Sequence, residues 1–213
     1  MGQARAGKDT LADYLVKKYG FVRIAFADPI KRAIRDWYGF TEEQLWGDDK
    51  EKPDFRYPIP GKGHLTARVA AQVVGTEVGR LIYPDTWVRL TLEHAQTLMD
   101  GKAMYNRSRG LYARRWYEFK KKPTGIVIPD CRFINEVHGL KGVPNGFVVR
   151  VKRKQAQGSV GIQGHQSEEE QKTIPDHMLD HVIDNNASLQ EFYVEIDKML
   201  RKAPKGERLR LVA

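Results

Sequence analysis

The first ten residues constrain the fold of this chain more than any other segment. Gly2 is followed by four residues and then by Gly7-Lys8, which match the phosphate-binding loop pattern G-x-x-x-x-G-K-[ST] up to its last position. Glycines let such a loop turn its backbone N–H groups toward an anion, and a helix that begins there adds a partial positive charge. The apolar spacing after Lys8 predicts that helix, and Gly20 is placed to end it.

Two details depart from the pattern. Asp9 stands where a hydroxyl residue usually binds Mg²⁺, and Thr10 follows one place later. A carboxylate is also a good ligand for Mg²⁺, so we expect Asp9 and Thr10 to be the metal-binding residues. Only Met1 precedes Gly2, whereas such a loop follows a central strand in doubly wound sheets. We therefore expect the first, central strand to be missing, with an upstream start or an inactive truncated chain as open explanations.

Strand and helix patterns alternate along the rest of the chain. Runs of β-branched and aromatic residues predict strands at 21–27, 125–130, 146–151 and 181–184. Helical spacing of apolar residues predicts helices over 66–83 and 86–100, and capping boxes begin two more at Thr41 and Ser188. The alternation predicts an α/β fold in one domain, residues 1–213, with a doubly wound parallel sheet covered by helices on both faces.

Composition excludes several classes of protein. Among 213 residues, 36 Lys and Arg stand against 27 Asp and Glu, and the net charge of +9 favours anionic partners such as nucleotides or nucleic acid. No apolar run is long enough to span a membrane, and no signal peptide pattern is present. Cys131 is the single cysteine, so an internal disulfide is impossible. We expect a soluble cytoplasmic protein, in the host cytoplasm if a phage encodes it.

Six short motifs, in family order and at similar spacing, resemble the phage-type deoxynucleoside monophosphate kinases. They are GKDT at 7–10, AFADPIK at 25–31, TARVAAQVVGTEVGR at 66–80, DTW at 85–87, IPDCRFINE at 128–136 and GHQSE at 164–168. The resemblance covers most of the chain and makes Asp9 a family feature. It implies a P-loop kinase fold and transfer of the ATP γ-phosphoryl group to a deoxynucleoside monophosphate (dNMP) with Mg²⁺. It also makes a homodimer an expectation.

The donor nucleotide is expected at the glycine loop. Lys8 would reach its β- and γ-phosphates, and Arg150 and Arg153 would clamp phosphate at the base of a polar, lid-like segment at about 153–180. A closing lid excludes water, so that phosphoryl transfer competes with hydrolysis. The predicted ATP-binding residues are Arg5, Ala6, Gly7, Lys8, Asp9, Thr10, Arg150 and Arg153.

The acceptor is expected near the ends of the two predicted strands at 21–27 and 125–130. Its phosphate is already ionised, so the reaction needs cations and orientation more than a strong base. Asp130 ends a predicted strand, where open α/β sheets bind ligands, and Arg132 suits a bidentate phosphate contact. With Lys8, these two are the predicted catalytic residues. The predicted acceptor-binding residues are Asp28, Lys31, Arg68, Gln72, Gly75, Thr76, Glu77, Trp87, Asp130, Arg132 and Glu136.

Each of these assignments has a structural alternative. Asp130 and Arg132 could form a strand-end ion pair, and the segment from Asp28 could be an ordinary turn and helix start. The polar residues spaced by four from Arg68 share one helix face that could simply be solvated. Trp87 is predicted to stack on a base, although a tryptophan at that position is also typical of a core.

Basic and aromatic residues interleave over about 104–122, a pattern that single-stranded nucleic-acid binding uses. An insertion near the acceptor site or an oligomer contact explains the pattern equally well, and we favour these over nucleic-acid binding. Two other functions remain open for the whole chain. One is a different small-molecule P-loop kinase, such as one that acts on dephospho-coenzyme A. The other is a non-enzymatic, basic nucleic-acid-binding protein.

Overall fold

A computed structural model describes residues 1–113, 122–154, 166–203 and 211–212. The α-helices are α1 (Lys8–Tyr19), α2 (Ala27–Tyr38), α3 (Glu42–Trp46), α4 (Ala67–Val73), α5 (Thr86–Met99), α6 (Ile134–Lys141), α7 (Gln166–Thr173) and α8 (Leu189–Lys202). The strands are β1 (Val22–Arg23), β2 (Asp54–Ile59), β3 (Gly63–Leu65), β4 (Ala103–Asn106), β5 (Gly110–Ala113), β6 (Ile126–Val127), β7 (Gly146–Phe147), β8 (Val149–Lys152), β9 (His181–Asp184) and β10 (Leu211–Val212). The predicted α/β class is confirmed.

Short parallel strands carry the fold. Four of them form a sheet in the order β1-β6-β10-β7, and β8, separated from β7 only by Val148, pairs in parallel with β9. Successive residues of β6 point to opposite faces: Ile126 packs in a cluster with α5 and α6, and Val127 packs in a second cluster with α1 and α8. Apolar side chains on both faces are typical of parallel strands, which helices cover on either side.

Both ends of the chain meet in the strand position between β6 and β7. No strand precedes α1 in the described residues; instead, β10 pairs in parallel with β6 and β7, and Ile128 donates its N–H to the Val212 carbonyl at 2.8 Å. Met1 continues this position beside β8, because its amino group donates to the Val149 carbonyl at 2.5 Å and its carbonyl accepts from the Val151 N–H at 3.0 Å. The glycine loop therefore starts from the sheet without a strand of its own.

Helices α2, α3 and α4 pack around a third apolar cluster that includes Ile34 and Leu45. The antiparallel hairpin of β4 and β5 is attached to α2 through two arginines. Arg32 donates to the Arg107 carbonyl at 3.1 Å, and Arg35 donates to the Ser108 carbonyl at 2.9 Å. The hairpin is thus held against the helix that follows β1.

Several predicted elements are confirmed, and others differ in extent: the strand predicted at 125–130 is only β6, and the strand predicted at 146–151 is divided at Val148 into β7 and β8. The strand at 181–184, the helix at 86–100, and the capping boxes at Thr41 and Ser188 are present. The strand predicted at 21–27 is shorter, because α2 already begins at Ala27. The helix predicted over 66–83 changes after α4 to a π-helical turn, Val74–Arg80, a form that is frequent at functional sites.

The predicted insertion and lid are described only in part. Residues 114–121 of the insertion and 155–165 of the lid lie outside the described residues. In the described remainder of the lid segment, Ile174 and Leu179 are buried in the core cluster of α5 and α6, so the prediction of a lid does not extend to them. No helix within the described ranges is long and apolar enough to cross a membrane.

Candidate active site

The glycine loop joins Met1 to the N-terminus of α1. Gly7 has a φ of 113°, in the left-handed region, and a Cβ there would lie 2.5 Å from the side-chain nitrogen of Asn185. The Lys8 ammonium folds back over the loop and donates to the carbonyls of Gly2 at 2.6 Å and Gln3 at 2.5 Å. The loop therefore has a tight backbone and an adjacent lysine ammonium, two features that suit binding of a phosphate chain.

A groove of about 350 Å³ lies beside this loop. It is lined by Arg5, Gly7, Lys8, Asp9, Thr10, Arg153, Asn185, Ala187, Leu189 and Phe192. The structure thus brings together most of the residues predicted to bind ATP. Ala6 is buried beneath the groove, and its carbonyl accepts a hydrogen bond from Asn185 at 2.8 Å. Asn185 and Phe192 were not predicted, although Asn185 directly follows β9, at the strand end where α/β sheets bind ligands.

Arg150 is the exception among the predicted ATP-binding residues. It does not line the groove: its guanidinium donates to Asp176 at 2.5 Å and to the Ile174 carbonyl at 2.7 Å. Its side chain is only 12% exposed. Because the Arg150 guanidinium is already paired with these groups, its position does not support the predicted role as a phosphate clamp. Arg153 lines the groove, and its predicted role as a clamp stays a prediction.

Lys8 lies in a cationic, poorly solvated environment. Burial first and the charge of Arg132 second lower its pKa to about 8, and the charges of Asp9 and Asp130 oppose this shift. The mutual influence shows that Lys8, Arg132 and Asp130, the three predicted catalytic residues, lie near one another. An anion bound near these two cations would offset their repulsion and favour the charged form of Lys8.

Asp130 connects the end of β6 to the start of α2. Its carboxylate accepts hydrogen bonds from the backbone N–H groups of Phe26 at 3.0 Å and Ala27 at 2.9 Å. Burial raises the pKa of Asp130, and these two hydrogen bonds act against the rise. Asp130 thereby fixes the N-terminus of α2 close to Lys8.

Glu136 holds the turn that carries Arg132. One carboxylate oxygen accepts the backbone N–H groups of Arg132 at 2.7 Å and Phe133 at 3.0 Å, and the other accepts from Arg80 at 2.7 Å. The Arg80 guanidinium lies 3.4 Å from the centre of the Phe133 ring. Burial raises the pKa of Glu136 to about 7. Its oxygens are used within the protein, so its effect on an acceptor would pass through Arg132; the part of Arg80 was not predicted.

A second cationic cluster lies at the N-terminal half of α2. Asp28 is buried, and its two oxygens accept from the Trp46 indole at 2.8 Å and the Tyr105 hydroxyl at 2.7 Å. The Lys31 ammonium lies 5.7 Å from the centre of the Trp46 ring and makes no hydrogen bond to any residue that the structure describes. Burial lowers the pKa of Lys31 to about 8, and Asp28 opposes this. Sequence patterns singled out Asp28 and Lys31 but not Trp46.

The residues of the helix at 66–80 that are predicted to bind the acceptor differ in their contacts. Arg68 is ion-paired with Glu51, and Glu77 is exposed. Gly75 is packed so closely that a Cβ would lie 2.9 Å from Ile30. Trp87 donates its indole N–H to the Gly75 carbonyl at 2.7 Å. Gln72 and Thr76 are half-buried beside these residues on the same helical segment.

The donor set around Asp9 and Thr10 suits Mg²⁺. Both residues line the groove, and the exposed Asp9 carboxylate is ion-paired with Arg23. In the part of the chain that the structure describes, no group of three His, Cys, Asp or Glu residues could hold a metal by itself. Mg²⁺ in kinase sites needs no such cage, because one or two protein oxygens, water and the nucleotide phosphates complete its coordination. One carboxylate and one hydroxyl fit that arrangement.

These features describe an α/β protein with a candidate phosphate-binding loop, and two comparisons refine the class. The sequence profile of the family described as deoxynucleotide monophosphate kinase matches residues 1–56. A protein of Acanthamoeba polyphaga mimivirus, named "Putative deoxynucleotide monophosphate kinase", is 30% identical over 201 residues, which cover 92% of this chain and 91% of the viral protein. The chain belongs to the deoxynucleotide monophosphate kinase family. It is therefore a kinase, a phosphotransferase that acts in deoxynucleotide metabolism.

Proposed function

We propose that this chain transfers the γ-phosphoryl group of ATP to a dNMP, giving ADP and the deoxynucleoside diphosphate, in a single doubly wound, P-loop kinase-like domain. One observation carries the proposal beyond family membership. Lys8 is the first residue of α1, and Lys31 lies in the second turn of the neighbouring α2. Both lysines are poorly solvated, and the charge of Asp130, whose carboxylate accepts the N–H groups at the start of α2, acts on both of them. Two anion sites joined in this way suit a reaction between two phosphorylated substrates.

The donor occupies the groove beside the glycine loop. The loop N–H groups and Lys8 bind the β- and γ-phosphates, and Lys8 exchanges its two loop carbonyls for phosphate oxygens. Arg5 and Arg153 lie at the groove to meet the outer part of the phosphate chain. Mg²⁺, held by Asp9, Thr10 and the phosphates, would supply neutralisation of their negative charge.

The acceptor lies on the other side of Asp130. Lys31 and Arg132 bind its phosphate, with Asp28 orienting the surroundings of Lys31 through Trp46. The nucleoside then extends along the helical segment that contains the other predicted residues, which are Arg68, Gln72, Gly75, Thr76, Glu77 and Trp87. Glu136 contributes indirectly, by holding the backbone of Arg132.

The reaction needs placement and charge more than proton transfer. An oxygen of the acceptor phosphate forms the new bond to the γ-phosphorus, and the bond to the β–γ bridging oxygen breaks, so that ADP leaves with the electron pair. Lys8 and Arg132 flank the transferred group and stabilise its charge. Asp130 fixes the geometry between donor and acceptor by holding the start of α2.

An ADP-release assay with MgATP and each of the four dNMPs tests the proposal. We expect turnover that requires a dNMP and falls at least about a hundredfold in Lys8→Ala, since removing one charged donor from such a site costs about 3 kcal/mol. Lys17→Ala is the matched control, because Lys17 is exposed on the same helix. Turnover with dephospho-coenzyme A instead would favour the other small-molecule kinase, and salt-sensitive DNA binding without turnover would favour a binding protein.

A further inference from the structure

The hairpin of β4 and β5 reaches into the acceptor side of the site. Tyr105 projects from β4, and its hydroxyl donates to the buried Asp28 carboxylate at 2.7 Å. Arg32 lies 3.4 Å from the same hydroxyl oxygen. The hydroxyl is half-buried, and burial together with Asp28 raises the pKa of Tyr105 far above the physiological range, so it remains a donor. The hairpin thus sets one of the two hydrogen bonds that orient Asp28.

The same hairpin places a second cation near the Trp46 ring that Lys31 approaches. The Arg107 guanidinium lies 5.8 Å from the centre of the Trp46 ring, and the Lys31 ammonium lies 5.7 Å from that ring centre. The charges of Lys50 and Arg107 both lower the pKa of Lys31, which shows that the three cations share one region. Asp28 offsets part of this charge, but its oxygens are already used by Trp46 and Tyr105.

We propose that this hairpin is a wall of the acceptor site, in which Tyr105 is a positioning residue for Asp28 and Arg107 binds the acceptor phosphate together with Lys31. The inference rests on the proposed function and extends it to residues outside the family motifs. A phosphate dianion between Lys31 and Arg107 would relieve the repulsion between them, and the indole of Trp46 would form the apolar floor beneath it. This arrangement assigns a role in acceptor binding to part of the basic, aromatic segment at about 104–122.

Removal of one hydroxyl tests the positioning role. In Tyr105→Phe we expect the KM for dNMP to rise about tenfold, the cost of a hydrogen bond to a charged group, with the KM for ATP and kcat changed less than about twofold. Tyr112→Phe is the matched control, since Tyr112 lies on β5 of the same hairpin and is more exposed. In an Asp28→Asn background the effect of Tyr105→Phe should largely disappear, because the two residues act as a unit.

Removal of one charge tests the phosphate contact. Arg107→Ala should raise the KM for dNMP about tenfold or more, and Arg107→Lys should recover part of the loss. Arg109→Ala, an equal charge change in the same turn, should stay within about twofold. Equal effects of Arg107→Ala and Arg109→Ala, or of Tyr105→Phe and Tyr112→Phe, would overturn the inference, as would a parallel rise in the KM for ATP. Absence of dNMP-dependent turnover in the unmodified protein would instead overturn the proposed function and this inference with it.

Discussion

The proposed donor and acceptor sides of this site are built in different ways. The proposed donor side is the contiguous segment of the glycine loop and the start of α1, and Asn185 and Phe192 line the same groove. The acceptor side is assembled from side chains on α2, α3, the π-helical turn and the β4–β5 hairpin. The first depends on backbone conformation, and the second depends on how several elements pack. Substitutions should therefore act locally on one side and through partners on the other.

Among substitutions that should affect one side and not the other, we expect the largest kinetic effect from a change at Gly7. Gly7→Ala would place a Cβ in the left-handed region and against Asn185, and it should raise the KM for ATP by about a hundredfold or more. Gly20→Ala at the other end of α1 is the matched control: Gly20 also has a positive φ, of 70°, but a Cβ there would meet nothing closer than 3.7 Å. It should cost about 1 kcal/mol of stability and leave the KM for ATP unchanged.

Kinetics with both nucleotides and thermal unfolding of the two variants check this contrast. If Gly7→Ala and Gly20→Ala lowered the free energy of unfolding equally and had the same KM for ATP, the loop would not require glycine at position 7. A rise in the KM for dNMP as large as that for ATP would likewise contradict a purely local donor side.

The same contrast explains what could be predicted from the sequence. A loop and the caps of its helix are local features, so the pattern from Gly2 to Lys8 and the stop at Gly20 suffice to predict the bounds of α1, while donor binding by the loop stays a prediction. Partners that come from distant segments leave no spacing to detect. Trp46 and Tyr105 meet at Asp28 only because α3 and the hairpin both pack against α2. Arg80, which binds Glu136 across the fold, is of the same kind.

The sheet shows a second limit of local patterns. The alternation of elements predicts the α/β class, but nothing in the final residues predicts that Leu211 and Val212 pair between β6 and β7. Strand pairing is a long-range property, set by which apolar segment fits the available position. No strand precedes the loop in the described residues, and β10 occupies the position between β6 and β7.

A smaller effect, on stability, is expected from β10. Val212 is only 2% exposed and packs in the cluster with α1 and α8, so Val212→Ala should lower the free energy of unfolding by about 2 kcal/mol. Val194→Ala on α8 is the matched control, because Val194 is 50% exposed, and it should change stability by less than about 0.5 kcal/mol. Denaturant unfolding of both variants measures the difference; equal stabilities would mean that β10 does not hold the sheet together.

The smallest effect expected is a pH dependence of nucleotide affinity, which Lys8 causes on the donor side and Lys31 on the acceptor side. Burial lowers the pKa of both Lys8 and Lys31 to about 8, below the ordinary lysine value of 10.5. Above pH 8 each free lysine loses its charge, so the affinity for ATP and that for dNMP should each fall by up to about tenfold per pH unit. The free energy of unfolding changes in the opposite direction. Between pH 8 and pH 10.5 the folded chain binds fewer protons than the unfolded chain, so the contribution of each lysine to stability rises with pH.

Arginine substitutions assign each dependence to its residue, because an arginine stays charged throughout this range. Titration of ATP and of dNMP between about pH 7 and about pH 10 should show that Lys8→Arg flattens the curve for ATP alone. Lys31→Arg should flatten the curve for dNMP alone, whatever each substitution does to affinity at neutral pH. One variant that flattened both curves would show that the two lysines serve a common anion, and the division of the site at Asp130 would then be wrong.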